Sequence, residues 1–277
     1  MLNHFNASYY FCIFALQKNN FSGVPNRYFL QLSYKGTHYH GWQAQENTPK
    51  TVQQTLDDVL TKILAEKITV AGAGRTDTGV HAQEYFAHFD SEKKDVHIDP
   101  QKWLFKLNVL LPEDIAIQKI IPVQSNAHAR FDAHSRTYRY FVNRKKDPFL
   151  ADSAYYLYGK LDLESMNKAA AIVVRNTDFT SFSKVNTQVK NNICAVKKAD
   201  WEEQGDLLIF TVQADRFLRN MVRSLVGTML EIGFGKIKAV EMQTIFDAKN
   251  RCEAGLSVPA HGLYLTKIDY PEKIWLS

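Results

Sequence analysis

Ile68-Thr-Val-Ala-Gly-Ala-Gly-Arg75-Thr-Asp77-Thr-Gly-Val-His81-Ala-Gln-Glu-Tyr85-Phe-Ala-His-Phe89 reads as two strands joined by a polar loop. Residues 68–70 form a short strand running into the loop, and residues 83–89 the strand leaving it, with Tyr85, Ala87 and Phe89 on one face by period-two alternation. The loop holds one carboxylate, Asp77, beside Arg75 and among Gly72, Gly74 and Gly79, which open backbone angles closed to other residues. A nearby cation favours the ionised carboxylate. A lone Asp-Thr-Gly is more often an ordinary polar turn; Gly, Arg, Asp and His packed into residues 71–82 point to chemistry instead.

Spacing excludes three familiar readings of the loop. A dinucleotide fingerprint needs glycine where Asp77 stands, and a P-loop needs Lys and Ser or Thr where Val80 and His81 stand. An aspartic protease needs a second carboxylate to share a proton; no second Asp-Thr-Gly or Asp-Ser-Gly occurs, and Arg75 would disturb such a dyad.

Outward from the loop, residues 27–33 alternate as a strand. Thr51 with Gln54 makes a capping box ahead of a helix whose apolar stripe is Val52, Leu56, Val59, Leu60 and Ile63. Residues 100–110 read as a helix, 115–123 and 137–143 as strands, and 162–175 and 216–231 as helices. Residues 192–202 and 206–213 form a hairpin around Gly205, and 262–270 a closing strand. The irregular alternation, with hairpins, predicts an α+β fold with a largely antiparallel sheet rather than a doubly wound parallel one.

The 277 residues, 45% hydrophobic and 23% charged, suffice for a sizeable core in one large domain or two packed halves. A net charge of +5 suits a polyanionic partner without requiring one. Cys12, Cys194 and Cys252 are odd in number and form no Cys-x-x-Cys pair, which argues against a disulfide framework or a zinc site and fits a reducing cytoplasm. The apolar run 9–16 is too short and lacks the flanks of a signal peptide; residues 1–26 are read as a disordered extension. No run approaches a membrane span.

Residues 135–146 interleave Arg136, Arg139, Arg144, Lys145 and Lys146 with Tyr138, Tyr140 and Phe141, a composition suited to stacking on unpaired bases and tracking phosphates, although such a strand is more often a solvated basic face. Arg216, Arg219 and Arg223 share one stripe of the expected 216–231 helix, opposite Phe217, Leu218, Met221 and Val222, where they can contact phosphates or fix a carboxylate. His38, His40, His81, His88, His128 and His134 lack the spacing of a metal site, so no metal is expected.

Together these residues resemble one family. Ala73-Gly-Arg-Thr-Asp-Thr-Gly-Val-His-Ala82 is similar to the catalytic motif of the tRNA pseudouridine synthase A family. Gly41-Trp42-Gln43, Val52-Gln53, Leu111-Pro112, Ala127 through Phe131, Arg136 with Tyr138-Arg139-Tyr140, residues 178–182, Asn220 through Arg223 with Gly227, and Gly262 through Leu265 follow in the family's order. The resemblance runs from about residue 27 to the C-terminus. It implies a pseudouridine synthase fold: two similar halves, 27–130 with the Asp loop and 131–277 with the stacking Tyr and the Arg helix, flanked by helices around a cleft. It implies that Asp77 is catalytic, that Arg75, Tyr138, Arg223 and Leu263 bind the substrate nucleotide, and that Arg223 pairs with Asp77. Arg136, Arg139, Arg216 and Arg219 are expected to contact RNA. The implied reaction isomerises uridine in the anticodon stem-loop of tRNA, on its 3′ side (nucleotides 38–40), in a homodimer and without cofactor. A protein of the same fold that binds RNA without catalysis is the alternative, disfavoured by the intact Asp77, Arg75, Tyr138 and Arg223. Lys35 departs from the family's usual Asp, which bears on turn geometry or the RNA-facing surface.

Overall fold

The computed structural model describes residues 26–92, 100–185 and 189–276; the expected 1–26 extension and Cys12 lie outside them save Asn26. Alternating apolar residues build β1 (Asn26–Tyr34), which pairs antiparallel with β3 (His81–Ser91) on one side and β4 (Ile115–Val123) on the other. Between β1 and β3 lies α1 (Val52–Leu64). Thr51 caps it by accepting from the Gln54 amide at 3.2 Å, and Val52, Leu56, Leu60 and Leu64 are buried. The Gln54 side chain turns to Asp58 instead of closing the box. The helix α2 (Pro100–Leu110) buries Trp103 and Leu107.

The expected strand at 68–70 is displaced to β2 (Ala71–Gly72), which pairs with β3. Side chains of α1 claim the backbone of 68–70 first: Thr61 Oγ1 accepts from Ile68 N, Asp57 from Val70 N at 2.7 Å, and Gln53 donates to Val70 O. Burial pushes the Asp57 carboxyl up to about 6.

The remaining chain supplies β5 (Ser135–Asn143), β6 (Tyr155–Tyr156), α3 (Leu163–Arg175), β7 (Val196–Gln204), β8 (Leu207–Ala214), α4 (Met221–Gly233), α5 (Glu241–Ala248) and β9 (Leu263–Asp269). Gly205, at φ +61°, turns the β7–β8 hairpin. The sheet order is β4-β1-β3-β9-β5-β8-β7, with β2 on β3 and β6 on β5; β3–β9 and β5–β6 are parallel and the other pairings antiparallel. The fold is therefore α+β with a mixed, mostly antiparallel sheet. The expected helix at 216–231 begins five residues later because Asn220 sits in the left-handed region at φ +69°, which no continuing right-handed helix accommodates. Arg216 and Arg219 thus precede α4 and share no helical stripe with Arg223.

The buried side chains form two cores. One contains Phe29, Leu56, Tyr85 and Phe89; the other Phe179, Phe210, Met221 and Met229. No helix among the described residues is long and apolar enough to cross a membrane.

Candidate active site

The loop 73–80 joins β2 to β3 and is fixed residue by residue. Ala73 N donates to Phe86 O at 2.8 Å; Gly74 N donates to the Tyr85 hydroxyl, which itself donates to Gly74 O. Trp42 N donates to Thr76 O, the hydroxyls of Tyr34 and Thr76 lie 2.9 Å apart, and Val80 N donates to Asp77 O at 3.1 Å. Tyr85 stacks on Trp42 with ring centres 4.1 Å apart. Burial raises the Tyr34 and Tyr85 phenols, so both stay neutral hydrogen-bonding groups. The glycines divide the work differently from the expectation. Gly79 has φ +78°, as a turn requires, whereas a Cβ on Gly72 would lie 2.4 Å from the Trp42 ring, so close approach dictates glycine there. Gly74 has neither a positive φ nor a neighbour within 4 Å of such a Cβ.

This frame presents Asp77 with its side chain 27% exposed. Arg219 Nε stands 3.5 Å from Asp77 Oδ1 and Arg223 Nη1 4.0 Å from Oδ2. The two guanidinium groups differ in setting. Arg223, in the first turn of α4, is 22% exposed and anchored by donation from Nε to Val258 O at 2.7 Å; Arg219, on the loop before α4, is 60% exposed. Tyr138 of β5 packs edge-to-face on Phe217, with ring centres 4.9 Å apart, and burial followed by the neighbouring Asp77 charge raises its phenol. Leu263 is buried at the start of β9. A carboxylate, two cations and a half-buried aromatic ring so converge where the β3, β5 and α4 segments meet.

The other predicted residues are placed differently. Arg75 is exposed on the same loop, and Arg216 is half-buried with its Nη1 3.3 Å from Asn191 Oδ1. Arg139 follows Tyr138 on β5 and therefore projects from the opposite sheet face, exposed. Arg136 shares the Tyr138 face, but its guanidinium donates to four backbone carbonyls rather than standing free for phosphate. Sequence reasoning placed Phe217 on a helix face and did not foresee its contact with Tyr138. Lys35 forms an exposed pair with Asp152 at 2.6 Å.

Two of the histidines are hydrogen-bonded inside the fold. The buried His81 ring accepts from Gly36 N at Nδ1 and meets His261 O at Nε2, so a neutral ring fits the site, and burial lowers its pKa. His88 accepts from Ala129 N and is pushed down to about 4, burial being the main cause. Among the described residues no group of three His, Cys, Asp or Glu side chains could hold a metal.

The sequence model of the tRNA pseudouridine synthase family matches residues 32–132 and 169–271. The chain is 49% identical over 250 residues to tRNA pseudouridine synthase A of Parabacteroides distasonis, covering 90% of this chain and 98% of that one. It is 47% identical to the Bacteroides fragilis protein of the same name with the same coverage, and 38% identical to that of Colwellia psychrerythraea, covering 90% of this chain and 96% of the relative.

Proposed function

The chain belongs to the tRNA pseudouridine synthase A family and is an isomerase acting on tRNA; from that premise we propose that Asp77 is its catalytic carboxylate and that its targets are uridines of the anticodon stem-loop, on the 3′ side. One observation carries the assignment of the site: Asp77 is a half-buried carboxylate within 4.0 Å of two guanidinium groups, on a loop whose neighbours leave its backbone little freedom. Cations at that range orient the carboxylate toward the ribose, where it acts as nucleophile or base. A loop already ordered by Trp42, Tyr34 and Tyr85 need not be ordered during the reaction.

The chemistry is a rearrangement within one nucleotide. The bond from ribose C1′ to uracil N1 breaks, the base turns, and a bond forms from C1′ to C5; the proton leaving C5 is balanced by the proton gained at N1. No electrons or groups are exchanged with another reactant. Asp77 acts on the sugar, as nucleophile at carbon or as base for its proton, while Tyr138, braced by Phe217, stacks on the base and Leu263 supplies apolar wall. Arg75, exposed on the same loop as Asp77, helps position the flipped-out nucleotide; Arg139, Arg216 and Arg219 contribute charge to the RNA-binding surface. The same reading has a cytoplasmic homodimer working without a cofactor.

Asp77→Asn keeps the side chain's shape and removes its charge. With unmodified tRNA transcript it should form no pseudouridine while binding RNA within a few fold of the parent. Pseudouridine formation at the parent rate would overturn the assignment of Asp77.

A further inference from the structure

Arg136 carries a role that neither its basic neighbourhood nor the family resemblance assigns. It lies near the start of β5, half-buried, with burial lowering its pKa. Its Nη1 donates to Asp215 O at 2.8 Å and Ala133 O at 3.2 Å; its Nη2 donates to Arg130 O at 2.6 Å and Ala73 O at 3.1 Å. None of the four acceptors is a carboxylate. The acceptors come from separate pieces of chain. Ala73 opens the loop that carries Asp77. Asp215 opens the segment running through Phe217 and Arg219 to Arg223. Arg130 and Ala133 belong to the turn entering β5.

We propose that Arg136 is a positioning residue that sets the distance between the two walls of the site, the Asp77 loop and the 215–223 segment, by bridging their backbone carbonyls with one planar guanidinium. The proposal rests on Asp77 being the catalytic carboxylate. Only arginine fits: four carbonyls in different directions need the several N–H vectors of a rigid fork, whereas a lysine ammonium has three and cannot span the same separation. A charge left among carbonyls with no carboxylate also explains why the group is not spent as a phosphate contact, since a phosphate would have to displace bonds already made. A displacement on the order of 1 Å between wall and wall is enough to cost about a hundredfold in rate.

The test compares Arg136→Lys and Arg136→Gly with the parent in single-turnover pseudouridine formation at saturating enzyme, beside filter-binding affinities at several salt concentrations, with Asp77→Asn as reference. Both Arg136 variants should lose at least roughly tenfold in rate, with affinity and the slope of affinity against salt unchanged, and added guanidinium ion should restore part of the rate to Arg136→Gly and none to Asp77→Asn. If Arg136→Gly loses cooperative unfolding, the comparison rests on Arg136→Lys. A full single-turnover rate in Arg136→Lys, or a salt slope lowered by about one in Arg136→Gly with its rate intact, would overturn the positioning role and make Arg136 a phosphate contact. Pseudouridine formation by Asp77→Asn would instead sink the reading of the site itself.

Discussion

At the scale of single residues, the two cations facing Asp77 are unequal, and distance alone ranks them wrongly. Arg219 stands nearer, at 3.5 Å, but is 60% exposed, so water screens the pair and its side chain loses entropy by holding still. Arg223 stands at 4.0 Å but is 22% exposed and tied to Val258 O, so its field acts through less solvent and its position is already fixed. Arg223→Leu should therefore lower the single-turnover rate by about a hundredfold with little change in affinity, and Arg219→Leu by less than about tenfold, with weaker RNA binding as its main effect. Rates and affinities measured side by side check this; equal small effects on rate would mean that neither cation serves Asp77. The loop that carries Asp77 was legible because its motif is dense. The fate of each arginine was not, since a sequence does not record whether a guanidinium meets phosphate, carboxylate or carbonyl: Arg136 and Arg139 stand three residues apart on one strand, yet one is consumed by carbonyls and the other is exposed on the far face.

At the scale of elements, α4 shows why periodicity misled. Arg216, Arg219 and Arg223 have helical spacing, but Asn220 turns left-handed and the helix starts at Met221. Asparagine tolerates that conformation at small cost, so nothing in its identity announces the break. The α5 helix was missed because its apolar signal is short, Met242, Ile245 and Phe246, whereas the Thr51 cap and long stripe of α1 made that helix readable. Within α4, Gly227 is dictated by close approach: a Cβ there would lie 1.8 Å from Leu256 O. The neighbouring segment is hung on α4 by Gly255 N donating to Thr228 Oγ1 and Val258 N to Arg223 O. Helix propensity alone predicts that Gly227→Ala stabilises by about 1 kcal/mol. The contact predicts the reverse, a loss of about 1–3 kcal/mol from overpacking. Because the displaced segment carries Val258 O, which holds Arg223, turnover should fall with it. Urea unfolding of Gly227→Ala settles the sign, and an increased midpoint would show that residues 254–258 yield without cost.

At the scale of the whole molecule, the sheet is one surface built from interleaved lengths of chain. β9, the last strand, lies between β3 and β5, and its pairing with β3 spans only His81 with Tyr264 and Ala82 with Leu265. So narrow a join would be weak if hydrogen bonds alone made it. The cores cross it instead. Val80 from the Asp77 loop is buried in the second core, while Leu265, Ile268 and Ile274 from the chain's end are buried in the first. The Arg136 bridge crosses the same join. Neither core is complete without residues from the other part of the chain, and the site lies where they exchange. Sequence order hid this, because a strand at the C-terminus reads the same wherever in the sheet it inserts. The physical consequence is shared cooperativity: removing β9 would expose buried residues on both sides at once. In graded denaturant, amide protection in β1, within the first core, and in β8, within the second, should therefore be lost at one midpoint and with one denaturant dependence, as hydrogen exchange read by mass spectrometry can measure. Protection in β8 surviving at concentrations where β1 already exchanges freely would mean that the halves unfold separately, and that the interleaving of β9 and Val80 positions the site without coupling its walls.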